Sequence, residues 1–142
     1  LKMLTMLDEY TRQCLAIRVE RQIRSGQVLA TLWQAMMTYG IPEHIRSDNG
    51  SEFITQKIQE WLKESQIKTL YIDPGSPWQN GYIESFHSRF RDECLNREWL
   101  LNLREARVVI EDWQQYYNIE RPHSRLGYLS PEGFIANQNV SL

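Results

Sequence analysis

Cysteine is scarce in this chain: Cys14 and Cys94 stand far apart among 142 residues. That spacing speaks against a disulfide framework and suits reduced thiols in a cytosolic setting. The three histidines, His44, His87 and His123, share no ligand spacing with those cysteines, which speaks against a zinc site. No glycine-rich phosphate loop and no nucleophile-elbow motif occur, so neither nucleotide binding nor serine hydrolysis finds a motif to rest on. Long apolar runs are missing, as is a charged-then-apolar leader, and the expectation is a soluble cytoplasmic protein with no membrane partner. Net charge is also small, −2 from 16 basic and 18 acidic residues. The field of the whole molecule therefore gives no reason to expect nucleic acid, and any DNA affinity has to come from locally arranged basic residues or from another domain.

What is present suffices for one core. A hydrophobic content of 42% with 11% aromatics fits a single domain over residues 1–142, and no repeat, low-complexity run or linker divides it. The chain opens within a strand, Leu1 to Leu7. Cys14 to Val19 alternates, with Leu15, Ile17 and Val19 on one face, so the two segments predict a hairpin with Asp8 in its turn. Val28, Leu29, Leu32, Met36 and Tyr39 recur at helical spacing after Ser25, which is placed to cap the helix, and Gly40 with Pro42 ends it. A short strand over 44–47 exits through Asp48-Asn49-Gly50. A second helix is expected from about Thr55 to Ser65 with Ile54, Ile58, Trp61 and Leu62 inward, followed by a strand from Lys68 to Ile72.

The prolines of Asp73-Pro74-Gly75-Ser76-Pro77 require a loop. A helix from about Gly81 to Leu95 has Ile83, Phe86, Phe90 and Cys94 as its apolar side. Glu84, Ser88 and Arg91 fall on another, common face. The last helix repeats Leu103, Ala106, Ile110, Trp113 and Tyr117 at intervals of three and four. The chain then finishes through Arg121-Pro122-His123, Leu126-Gly127-Tyr128, Ser130-Pro131 and Phe134, to which no regular element is assigned. This order implies an α/β fold, a mixed sheet with helices packed on it.

The chemistry-bearing candidates are two carboxylates beside glycine-marked turns, Asp48 and Glu84, with thirty-five residues between them. An acidic residue next to Asn-Gly ordinarily marks only a turn, and a polar stripe on a helix is ordinarily a solvated face. Together, a carboxylate at a strand exit and another at a helix start suit magnesium or manganese, hard ions that prefer oxygen and hold phosphate oxygens alongside protein carboxylates. A two-ion site of this kind normally uses a third carboxylate. The candidates for that role are Asp8, Glu9, Glu52, Asp73, Asp92 and Glu93, of which Asp8 reads as a turn residue, Glu52 as solvent-facing and Asp73 as a loop anchor.

Three separated segments, RSDNGSEF, SPWQNGYIESFHSRFRDECLN and YYNIERPHSRLGYLSPEGF, resemble the catalytic core of bacterial DDE transposases of the insertion-sequence-three family, relatives of retroviral integrases. LTMLDEYTRQCLAIRVE resembles that family's second and third strands. The resemblance implies a ribonuclease H-like fold, its first strand absent from this sequence. It also implies an Asp-Asp-Glu site holding two Mg2+ or Mn2+ ions for cleavage and strand transfer on DNA. By the same resemblance Asp48 is the second Asp, Glu84 is the Glu, and Arg91 contacts substrate DNA; Ser88, in line between Glu84 and Arg91 on the helix face, is placed to meet a DNA phosphate. Asn80, Gly81 and Ser85 frame the Glu, and Tyr117, Asn118, Arg121, Pro122 and His123 match a C-terminal signature.

The family's first Asp belongs to a strand preceding the hairpin, so this chain is expected to be a core fragment lacking one ligand of three. The implied partners are transposon ends, target DNA and further copies of the chain. A non-catalytic remnant that pairs with an intact transposase or binds DNA without cutting it, and a magnesium-dependent nuclease of the same fold, are the alternatives.

Overall fold

A computed structural model describes residues 2–47, 55–71, 81–95 and 103–140. Strand β1 (Lys2–Leu7) pairs antiparallel with β2 (Cys14–Glu20), with the register shifting between Met6 and Leu7. The turn between them is built by Asp8, whose Oδ1 accepts from the backbone N–H groups of Tyr10 (2.9 Å) and Thr11 (2.8 Å). Arg12 takes a left-handed φ of 63° to close it. The turn role expected for Asp8 is the one observed.

Helix α1 (Ser25–Tyr39) follows. Ser25 is its first helical residue rather than its cap: Arg24 stands at the cap position, and its N–H donates to Gln27 Oε1 at 2.9 Å. Val28, Thr31, Leu32 and Ala35 are buried, while Tyr39, expected on the inward face, is exposed at the last turn. Strand β3 (His44–Ser47) pairs in parallel with β4 (Lys68–Tyr71) across helix α2 (Gln56–Glu64), which Thr55 caps and whose Ile58 and Leu62 are buried. Helix α3 (Gly81–Phe90) runs on as a π-helical turn over Arg91–Leu95. Helix α4 (Leu103–Ile119), a 3-10 turn at Ser124–Leu126 and helix α5 (Pro131–Val140) complete the described order. Helix α5 answers to no sequence expectation. Its first turn is set by Ser130, whose Oγ accepts from the Gly133 N–H at 3.1 Å.

Two apolar clusters hold these elements. One joins Cys14 and Val19 of β2 to Phe86, Phe90 and Cys94 and to Ala106, Ile110, Trp113 and Tyr117 of α4. The other joins Val28 and Leu32 of α1 to Ile58, Leu62 and Ile67, with Leu4 and Met6 of β1 packed against it. The hairpin thus lies between a layer of α1 and α2 and a layer of α3 and α4, as an α/β fold requires. The expected mixed sheet is present as two halves: among the described residues the strands form two pairs, β1-β2 and β3-β4. No helix among the described residues is long and apolar enough to cross a membrane.

Candidate active site

Helix α3 carries the site because one of its sides is committed to the core. Phe86, Phe90 and Cys94 are each at most 2% exposed. The Phe86 ring meets Tyr117 edge-on at 5.1 Å and Phe90 meets Trp113 at 5.0 Å, contacts that fix the helix's rotation about its axis. With that side locked, the helical period turns Glu84, Ser88 and Arg91 to solvent, and all three are exposed. Glu84 sits in the first turn, where the positive end of the helix dipole favours a carboxylate. The common face expected of these three residues is present. Ser85 is exposed beside them.

A contact that sequence spacing does not show ties this helix to the sheet. Thr5 Oγ1 of β1 lies 2.8 Å from His87 Nε2, one turn beyond Glu84. Asp48, together with Glu52, Asp73 and Asn80, lies outside the described residues. Ser47, which precedes Asp48, ends β3, and it lines the same groove as Ile83 and His87 on either side of Glu84.

The other carboxylates considered for a metal are largely engaged elsewhere. Asp8 closes the hairpin turn. Glu9 pairs with Arg46 at 2.9 Å and lies 3.8 Å from His44 Nε2. Glu93 is gripped by Arg121, whose Nε donates to Oε1 at 2.9 Å and whose Nη2 donates to Oε2 at 2.7 Å. The Arg121 hydrogen bonds hold the Glu93 carboxyl below its ordinary range against the opposing effect of burial. Asp92 is exposed on the π-helical turn. Among the described residues no three His, Cys, Asp or Glu side chains converge as a metal-binding group. Glu84 is a hard oxygen donor, the type magnesium and manganese prefer, so the donor chemistry fits those ions.

The C-terminal signature is structural in its contacts. Asn118 is buried and clamps the start of β2: its Oδ1 accepts from the Cys14 N–H at 2.7 Å, and its Nδ2 donates to the Cys14 carbonyl at 2.9 Å. Tyr117 lies within the aromatic cluster, with the His123 ring edge-on to it at 4.7 Å. Burial, seconded by the nearby Arg121 charge, pushes the His123 imidazole down to about 4, so it stays neutral near pH 7. Burial likewise raises the Cys14 thiol to about 12, which makes it a packing group rather than a nucleophile.

Two models of an integrase core domain match the chain, one over residues 1–77 and the other over residues 65–131. A 39.2 kDa protein of insertion element IS476 from Xanthomonas euvesicatoria is 44% identical over 137 residues, covering 96% of this chain and 40% of that protein. A 31.7 kDa protein of insertion element IS407 from Burkholderia multivorans is 40% identical over 140 residues, covering 99% of the chain and 50% of that protein. The chain thus spans half or less of the length of these curated relatives.

Among solved structures, the magnesium complex of the HTLV-2 integrase catalytic core in its trimeric form superposes with a TM-score of 0.72 at 19% identity, over 93% of this chain and 83% of that one. The BIV integrase catalytic core superposes with a TM-score of 0.74 at 18% identity, over 96% and 93%. These likenesses make the fold ribonuclease H-like. With an integrase core model matched over more than half its length and insertion-element proteins as its relatives, the chain belongs to the integrase core domain family, in the branch of insertion-sequence-three-type DDE transposases.

Proposed function

We propose that this chain is the catalytic-core portion of a DNA transposase, performing metal-dependent phosphodiester cleavage and strand transfer at transposon ends and target DNA. The observation that carries the reading is the solvent face of α3. Glu84, Ser88 and Arg91 stand on it in line, while the opposite side of the helix is pinned by Phe86 and Phe90.

Asp48 and Glu84 are the ligands proposed for Mg2+ or Mn2+. Such ions, when bound, would supply the positive charge that activates an attacking hydroxyl and stabilises the leaving oxygen. Arg91 offers a guanidinium to a DNA phosphate and Ser88 a hydroxyl to its oxygens. His87, held by Thr5, keeps the Glu84 turn in register with β1. By the family resemblance the third carboxylate is proposed to be an Asp on a strand preceding β1, and Asp8, Glu9 and Glu93 are engaged elsewhere. A homo-oligomer is also proposed, supported by the dimeric and trimeric forms described for the HTLV-2 core.

Among the described residues β1 pairs only with β2 and β3 only with β4, which favours a second reading, a non-catalytic remnant that associates through those strands. A calorimetric titration with manganese of this chain, beside the Asp48→Asn and Glu84→Gln double variant, tests the assignment. Binding that vanishes in the double variant supports the ligand pair. Equal binding, or none in either protein, rejects it for this chain.

A further inference from the structure

Past α4 the chain closes on itself over residues 123–129. The His123 N–H donates to the Leu129 carbonyl at 3.0 Å and the Tyr128 N–H to the His123 carbonyl at 2.8 Å, so that His123 and Leu129 form an antiparallel bridge. Within it the Leu129 N–H donates to the Leu126 carbonyl at 3.3 Å, and Gly127 and Tyr128 both hold a φ of 65°. Left-handed φ at both central positions marks a type I′ turn, which glycine, asparagine and aspartate dominate. Two buried side chains seat the loop: Leu126, and His123 with its ring edge-on to Tyr117 at 4.7 Å.

Tyrosine is costly at the second of those positions, because its Cβ crowds the backbone. Such strain persists where something else requires the residue, and it gathers at binding sites. Burial is not what requires Tyr128, which is 75% exposed. A rigid turn thus holds an aromatic ring out to solvent.

Arginines stand around it. Arg125 is exposed within the loop itself. Arg121 precedes the loop, its guanidinium set by Glu93. The Asn118 clamp on Cys14 brings the hairpin turn that carries Arg12 to the same end of α4. Burial does most to lower the His123 pKa, and the charges of Arg121, Arg89 and Arg12 add to it, as cations near the ring must. The carboxylates at this end are largely occupied: Glu93 by Arg121, Asp8 by its own turn and Glu132 by Gln13.

A presented ring beside guanidinium groups suits an unpaired base and its phosphate, since the ring stacks on the base and arginine takes the phosphate oxygens. Bases inside a duplex already cover one another's faces, so the match is to a single strand. We propose that the 123–129 loop is a binding site for single-stranded DNA, in which Tyr128 stacks on an unpaired base and Arg125, with the arginines around His123, holds the flanking phosphates. The site uses none of Glu84, Ser88 and Arg91, and it rests on the reading that this chain acts on DNA.

The probe is a strand of about ten thymines with one central 2-aminopurine, beside a blunt duplex of the same length. The strand's fluorescence should be quenched on binding, and Tyr128→Gly should abolish the quenching and weaken strand binding about tenfold while duplex binding survives. The same variant should melt at a higher temperature, because glycine relaxes the turn, so its lost binding is not lost folding. Tyr128→Trp should restore the quenching. Arg125→Ala should make the slope of log strand affinity against log salt shallower by about 0.7. Strand binding or quenching that persists in Tyr128→Gly, or an equal loss for strand and duplex, overturns the proposal and leaves the transposase reading standing. Binding to neither form of DNA by the unaltered chain removes both. If Tyr128→Gly instead changes the sedimentation of the protein alone and leaves strand binding intact, the proposal is overturned in favour of a contact between protein copies.

Discussion

At the scale of single residues, Arg121 grips Glu93 across two guanidinium donors, with both side chains about three-quarters or more withdrawn from water. Removing one partner leaves a partly desolvated charge, so Glu93→Gln is expected to cost about 2 kcal/mol in urea denaturation. Because the folded carboxyl is held below its ordinary 4.5, its contribution is complete above that pH and is lost as pH falls through the folded value. His123 works in the same direction at somewhat higher pH. Its folded pKa of about 4 lies below the ordinary 6.5, so between those values the unfolded chain binds the extra proton. Stability should therefore rise with pH across that window, by at most about 1.4 kcal/mol per pH unit. A His123→Phe variant whose melting temperature shows the same rise would remove His123 as its source. Helical spacing alone put Glu84, Ser88 and Arg91 on one face, because residues three and four apart must share it. The partner of Glu93 lies 28 positions away, beyond any local rule.

At the scale of elements, helix ends and inter-element clamps carry the testable detail. Asn118 bonds both the N–H and the C=O of Cys14; Asn118→Ala would orphan the buried N–H, while the carbonyl keeps its hydrogen bond from Gln114 Nε2. A loss of about 2 kcal/mol is expected, read as a lower urea midpoint with an unchanged slope. Gln66, just past α2, holds a left-handed φ of 61°. Glycine adopts that conformation freely, so Gln66→Gly should raise stability by about 0.5 kcal/mol, and a lower melting temperature would contradict the strain argument. The elements with strong periodicity, α1, α2, α3 and α4, were legible from sequence. Helix α5 was not, because Pro131 reads as a breaker unless it is recognised as the first residue of a helix. The cap of α1 was misplaced by one residue because Gln27, rather than Ser25, supplies the side-chain acceptor.

At the scale of the whole molecule, a net charge of −2 leaves any DNA affinity to locally arranged cations rather than to the overall field. If Arg91 meets a phosphate, Arg91→Ala should weaken DNA binding more at low salt than at high salt and make the slope of log affinity against log salt shallower by about 1. A salt-independent loss would indicate a folding defect instead. The two-cluster core explains why α3 can present a polar face at all. One cluster anchors it through Phe86 and Phe90, and the other holds α1 and α2 across the hairpin. The order of strands and helices implied an α/β sheet, but adjacency is a long-range property, and the separation into β1-β2 and β3-β4 became visible only in three dimensions.

By itself the sequence determined the local geometry of this protein. Asp8 makes a turn, and the 3.6-residue period sorts Phe86, Phe90 and Cys94 from Glu84, Ser88 and Arg91. These follow from backbone sterics and side-chain spacing, which act within a few residues. Only the tertiary structure decided that Thr5 meets His87, that Asn118 clamps Cys14, that Arg121 takes Glu93 out of contention as a metal ligand, and that β1 and β3 border one open groove. Each of those pairings joins residues remote in the chain. What brings them together is the burial of two apolar clusters, a non-directional force that specifies partners only once the whole chain has packed.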